Sequence, residues 1–184
     1  MRTCFALFLS FGIAAANTST GNNNPHVDYT KVDFEDFLEG VLQGAFETAD
    51  PLAETCVQNG EDMLLTISQA VHDLKEGTKE SVEAGVQLIG QVIQEASSEL
   101  VACETAVNDF EKLAEMASSF SHPLAFAFHA GKNILINHVE ITDEIHAAVQ
   151  AWDAPDFFDF GFNVGEALAQ VLMGLSEDVT TSVQ

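Results

Sequence analysis

Phe34-Glu-Asp-Phe-Leu-Glu-Gly-Val-Leu-Gln-Gly-Ala-Phe46 is the stretch on which the reading of this chain turns. Its apolar residues Phe34, Phe37, Leu38, Val41, Leu42, Ala45 and Phe46 recur at i, i+3, i+4 and i+7, one face of an α-helix. The same segment holds Phe37-x-x-Gly40-x-x-x-Gly44, and that spacing returns as Phe158-x-x-Gly161-x-x-x-Gly165. A glycine inside a helix costs about 1 kcal/mol relative to alanine, so four of them need a reason. Close approach of two helix backbones is one reason, and then the two glycine faces meet each other. Room left for a ligand is the other.

Helical periodicity continues outward from this segment, with no convincing strand. Asp50-Pro51 supplies an N-cap and a proline at the first helical position, opening a helix that passes Cys56 and bends at Asn59-Gly60. Met63, Ile67, Val71 and Leu74 form its inner face, Gly77 stops it, and Thr78 caps the next helix with Val82, Val86, Ile89 and Ile93 inside. Ser97 or Ser98 is expected to start a fourth helix. Leu124 to Asn137 reads as the most apolar helix, continued by Ile141, Ile145, Val149 and Trp152. A last helix runs from Asp156 to Met173, where Gly174 is expected to end it. The turns are short, so the expected fold is all-α, a single compact bundle of six to seven helices.

The ends and the charge place this bundle. Arg2 followed by apolar Phe5 to Ile13 and small Ala14-Ala15-Ala16 reads as a signal peptide over 1–16, cleaved before Asn17. A buried N-terminal helix is the alternative, disfavoured by the polar tract 17–29 that follows at once. The helical domain is then 30–175 and a polar tail 176–184. Glu166 and Lys132 interrupt the most apolar later stretches, so no membrane span is expected. The leader takes with it the only arginine, leaving 29 carboxylates against 5 lysines, a net charge of −24. Such a field excludes nucleic acid and anionic membranes as partners. With 47% hydrophobic residues and fourteen Phe, the chain is nonetheless a folding one.

Cys4 also leaves with the leader, so Cys56 and Cys103 remain as an even count in an oxidising compartment. A disulfide between them closes a loop of roughly fifty residues and stabilises by about 4 kcal/mol in the chain-entropy picture. Free thiols or a metal pair are the alternatives, and two cysteines alone make a poor metal site. Asn17-Thr18-Ser19 is a glycosylation sequon at the new N-terminus.

Motifs for catalysis are missing from the sequence. No Gly-x-Ser-x-Gly or His-Glu-x-x-His occurs, and Glu35, Asp36 and Glu39 lie on the polar face of their helix. Spacing puts His122 with His129, and His138 with His146, on shared helix faces; Asp143-x-x-His146 matches half of a di-metal pattern whose second half is missing. No EF-hand loop is present, so calcium binding is expected only as weak and diffuse, at many surface carboxylates. No metal site, cofactor or enzymatic activity is expected. The aromatic crowding is the remaining feature: Phe120, Phe126 and Phe128, then Trp152, Phe157, Phe158, Phe160 and Phe162. These either fill central, fully buried helices or line an apolar cavity or partner surface.

Phe120-Ser-His-Pro-Leu-Ala-Phe-Ala-Phe-His-Ala-Gly-Lys132, Trp152, and Phe158-Asp-Phe-Gly-Phe-Asn-Val-Gly-Glu-Ala-Leu-Ala169 together carry a resemblance. The chain resembles a family of small secreted helical proteins common in ciliates and other protists, with two cysteines and glycine-spaced first and last helices. The resemblance implies a secreted helical product and brings no catalytic residues with it.

These readings converge on a secreted or secretory-pathway protein that binds an apolar small molecule or a protein partner. Trp152, Phe158 and Phe162 with Gly40, Gly44, Gly161 and Gly165 are the candidate surface. The rivals are a structural component of secretory granules or an extracellular coat, assembling with calcium or acid, and an enzyme of unknown class.

Overall fold

The computed structural model describes residues 29–46, 59–101, 107–129 and 133–181. Among the described residues, six helices and three short strands follow in the order α1 (Lys31–Phe46), α2 (Gly60–Glu76), α3 (Lys79–Val101), α4 (Val107–Ser121), β1 (Phe126–His129), β2 (Asn133–Ile136), β3 (Val139–Glu140), α5 (Thr142–Asp153) and α6 (Phe157–Thr181). The class is the expected all-α one. The expected signal peptide, the Asn17 sequon and the Cys56–Cys103 bridge lie outside the described residues.

Local chemistry sets the helix starts. Thr30 and Asp33 form a reciprocal capping box, with the Thr30 amide donating to Asp33 Oδ2 (2.7 Å) and the Asp33 amide to Thr30 Oγ1 (3.2 Å). Thr78 and Ser81 repeat the arrangement at the head of α3, at 3.1 Å in each direction. Asp156 Oδ1 accepts the Asp159 amide (3.0 Å) and caps α6. Gly77 ends α2 in the left-handed conformation, φ 69°, which a residue with a Cβ adopts only at a penalty.

The core follows the sequence faces. Phe34, Phe37, Leu38 and Val41 of α1 are fully buried, facing a stripe of α6 made of Phe160, Val164, Ala167, Leu168 and Val171. The first and last helices form the most extensive pairing in the molecule. The α3 helix lies between α2 and α4, and α5 packs on α6.

Three boundaries differ from the sequence expectation. Where a helix was expected over Leu124–Asn137, the described residues form β1 and β2 of a three-stranded antiparallel meander, with Phe126 opposite Ile136 and Ile136 opposite Val139. Burial alternates along β2, Ile134 and Ile136 inward with Asn133 and Leu135 half-buried, the period-two pattern of a strand. Asn137 and His138 make the two-residue turn with φ 51° and 72°, the type I′ geometry that matches strand twist. Asn137 is buried and doubly tied to Ala125: its amide donates to the Ala125 carbonyl (2.7 Å) and its Oδ1 accepts the Ala125 amide (3.0 Å).

Ser97 and Ser98, expected to open a helix, lie inside α3. Ser98 Oγ donates to the Gln94 carbonyl one turn back (2.9 Å), a bond that lets serine sit within a helix rather than cap it. Gly174 does not end α6, which runs on to Thr181 into the stretch expected to be a polar tail. Its missing side chain makes space for the Val139 methyl of β3 instead.

Candidate functional site

The glycine echo is a seam. A Cβ on Gly40 would strike the Phe158 carbonyl oxygen and stand 2.8 Å from the Phe162 amide nitrogen; one on Gly44 would strike the Phe162 carbonyl and stand 2.9 Å from the Glu166 nitrogen. The relation is reciprocal. Gly161 is pressed against the Phe37 carbonyl with the Val41 nitrogen 3.0 Å from its absent Cβ, and Gly165 against the Val41 carbonyl with the Ala45 nitrogen at 2.8 Å. All four vacated positions are thus occupied by the main chain of the opposite helix, leaving no room for a ligand there.

The aromatic residues divide. Trp152, at the end of α5, is partly buried and packs edge-on to Phe157 (5.3 Å between ring centroids) and Phe160 (5.2 Å). Tyr29 closes the group from the other side, 5.6 Å from Trp152 and 6.0 Å from Phe157. Phe160 continues inward to Phe37 (5.6 Å). Phe158 and Phe162 are half-buried and contribute their carbonyls to the seam. Trp152 is therefore joined to the core through Phe160, while Phe158 and Phe162 flank the glycines; the structure does not gather the three around a shared space.

A cavity of about 440 Å³ opens elsewhere. Leu74 and Lys75 of the last turn of α2, Gly77, Val82 of α3, Phe128 of β1, Asn133 and Ile134 of β2, and Thr142, Ile145, His146 and Val149 of α5 line it. The α5 residues fall at i, i+3, i+4 and i+7, so one face of that helix forms a whole wall. Of these residues the sequence reading placed Leu74, Val82, Ile145 and Val149 on inner faces, named Phe128 among the crowded aromatics, and missed Lys75 altogether. The i, i+4 signal on α5 was available; the strand partners were not, because β1 and β2 read as helix. In size the cavity falls within the ~300–1,000 Å³ of pockets that hold small molecules.

The polar groups on the sheet side of this cavity are already satisfied. Thr142 Oγ1 accepts the Ile134 amide (2.8 Å) and donates to Glu140 Oε1 (3.3 Å), which also accepts from Asn133 Nδ2 (2.8 Å). Lys75 Nζ forms an exposed ion pair with Asp153.

One pair superficially suggests a nucleophile. Ser121 Oγ lies 3.0 Å from His122 Nδ1, but it also lies 2.9 Å from Gln94 Oε1, which can only accept. The hydroxyl proton therefore goes to Gln94, and the imidazole can only donate to Ser121, the reverse of base activation. The expected histidine pairings are also undone. His122 follows α4 while His129 is in β1, and His138 sits in the hairpin turn while His146 is on α5. Among the described residues no group of three or more His, Cys, Asp or Glu side chains comes together as a metal-ligand set.

Among the described residues no helix is long and apolar enough to cross a membrane. No curated protein and no solved structure matches the chain. The family described as SctB-like, Secreted protein B-like, matches over residues 15–174, a span that takes in every element from α1 to β3, all of α5 and most of α6. The chain belongs to the SctB-like, or Secreted protein B-like, family.

Proposed function

We propose that this protein is a secreted carrier or binder of a small apolar molecule, acting by binding rather than catalysis. The cavity carries this reading, with walls of Leu74, Val82, Phe128, Ile134, Ile145 and Val149 and a volume of about 440 Å³. Apolar walls with a few polar groups are the usual make-up of a small-molecule site. The family description supports the secreted half of the proposal, as does the leader-like sequence ahead of Asn17. The glycine faces and Trp152 belong to the framework in this reading, and α5 serves both: Trp152 anchors its end while Val149, one turn earlier, faces the ligand space.

Native mass spectrometry of protein collected from its own secretions tests the proposal. A species heavier than the mature chain by one small molecule, returning to the bare mass on denaturation, is the expected result. Identical native and denatured masses in freshly secreted material would overturn it.

The net charge of −24 expected for the mature chain favours a second reading, assembly in granules or an extracellular coat, because acid or calcium would screen it. Asp36, whose carboxyl pKa is raised by desolvation and by the nearby charges of Asp33 and Asp156, is one place within the chain where acid relieves repulsion. Light scattering that grows with calcium or falling pH, at constant secondary structure, is the outcome this reading requires.

A further inference from the structure

We infer that the cavity selects a single-chain amphiphile with an anionic head group, received at Lys75. The inference rests on the binding reading above and adds the chemical class of the ligand. Eleven of the described residues line the cavity, and none of them is Asp or Glu, although carboxylates number 29 in the chain. Lys75 is the charged residue of that lining, and His146 adds an imidazole. A site in so acidic a chain that admits a lysine and no carboxylate is complementary to a negative group. A cationic head would meet the ammonium, and the carboxylates behind the wall are already engaged, Asp153 by Lys75 and Glu140 by Asn133 and Thr142.

The remaining polar groups do not compete for the head. Asn133 and Thr142 are turned to Glu140, whose Oε1 accepts from both. Lys75 already pairs with Asp153, but its side chain is 42% exposed and that of Asp153 58%, so the pair is solvent-screened and worth little. An ammonium has three N–H donors and can keep Asp153 while engaging a second anion. The net charge repels anions at long range. Screening confines that repulsion to about 8 Å at physiological ionic strength, so burial of the tail can bring the head to Lys75.

The apolar walls dictate the rest of the ligand. Leu74, Val82, Phe128, Ile134, Ile145 and Val149 offer only aliphatic and aromatic surface, which suits a hydrocarbon chain. Free fatty acids and lysophosphatidic acid share this chemistry.

Fluorescence titration of the intact mature chain with cis-parinaric acid, below its micellar range, tests the inference. Palmitate, lysophosphatidic acid, hexadecanol and hexadecyltrimethylammonium serve as competitors. Saturable one-to-one binding is expected, displaced by palmitate or by lysophosphatidic acid, whichever head is the natural one, ahead of the neutral and cationic chains. Lys75→Glu should weaken parinarate about tenfold, equivalent to about 1.4 kcal/mol, and Lys75→Gln by less, with hexadecanol affinity unchanged in both. Val149→Trp, which narrows the cavity, should weaken binding of every chain. If hexadecanol or the ammonium competes as well as the anions, or Lys75→Glu leaves parinarate affinity intact, the head-group inference is overturned while the apolar cavity stands. If no chain of any charge binds, both fall. Circular dichroism of each variant controls for folding, and the exposed Lys75 variants carry the test should Val149→Trp unfold.

Discussion

Gly40 and Phe158 meet main chain to main chain: the space a Cβ on Gly40 would take belongs to the Phe158 carbonyl oxygen. Backbone cannot swing aside as a side-chain tip can, so the two helices must separate if Gly40 gains a side chain. Gly40→Ala and Gly161→Ala should each destabilise by about 3 kcal/mol, despite the gain in helix propensity. Gly77→Ala meets nothing nearer than the Lys75 carbonyl at 3.9 Å and should lose only about 1 kcal/mol, from its positive φ. Urea midpoints at a constant m-value separate the two cases.

Asn137 combines two roles that substitution can pull apart. Asn137→Gly keeps the positive φ and loses the side-chain bond to the Ala125 amide, for about 1 kcal/mol. Asn137→Ala loses both, for about 2–3 kcal/mol. Chemical denaturation of the pair should rank them in that order; equal losses would mean that the turn conformation contributes nothing.

Asp36 should give the protein a small acid-stabilised component. Its pKa in the fold lies above the ordinary 3.8, so the folded chain holds the proton more tightly than the unfolded one. Stability from this group therefore rises as pH falls from neutrality through the raised value, is complete below the ordinary one, and is lost again as pH climbs. Asp36→Asn should remove that slope and stabilise at pH 7, by no more than about 0.5 kcal/mol because the side chain is exposed. Melting temperatures of both proteins across pH 3.5 to about 7 are the measurement.

Cys56 and Cys103 are expected to be bridged in secreted material. The intact mass should lie two hydrogens below the reduced chain, and Cys103→Ser should destabilise by about 4 kcal/mol under oxidising conditions. Two titratable thiols in the unreduced, unfolded protein would refute the bridge.

Much of the fold was legible because local rules and tertiary packing agree along most of the chain. Thr78, Gly77 and Asp156 cap and stop helices where their chemistry says they should. The repeated glycine spacing offered contact between the first and last helices as one of two readings, and the two glycine faces do meet. The sheet was illegible because Phe126 to Ile136 is an apolar run that a helix or a hairpin can use, and its turn has His138 where a glycine would have announced it. That error hid the cavity, since Phe128 and Ile134 reach it from strands. Gly174 looked like a helix stop because glycine commonly follows a helix end, and its contact with Val139 of β3 has no sequence signature. Ser98 misled differently: a serine bonded to the preceding turn has the same sequence signature as a cap.

The seam also dictates an order of events at synthesis. Gly40 and its partner Gly161 are about 120 residues apart, so the interface of α1 with α6 cannot form until α6 has emerged. At about 5–20 residues per second, the first helix waits several seconds or more before Phe37 meets Phe160, while Phe34 can pack on Gly60 of α2 much sooner. A two-stage burial of the first helix is thus written into the distance along the chain between its partners.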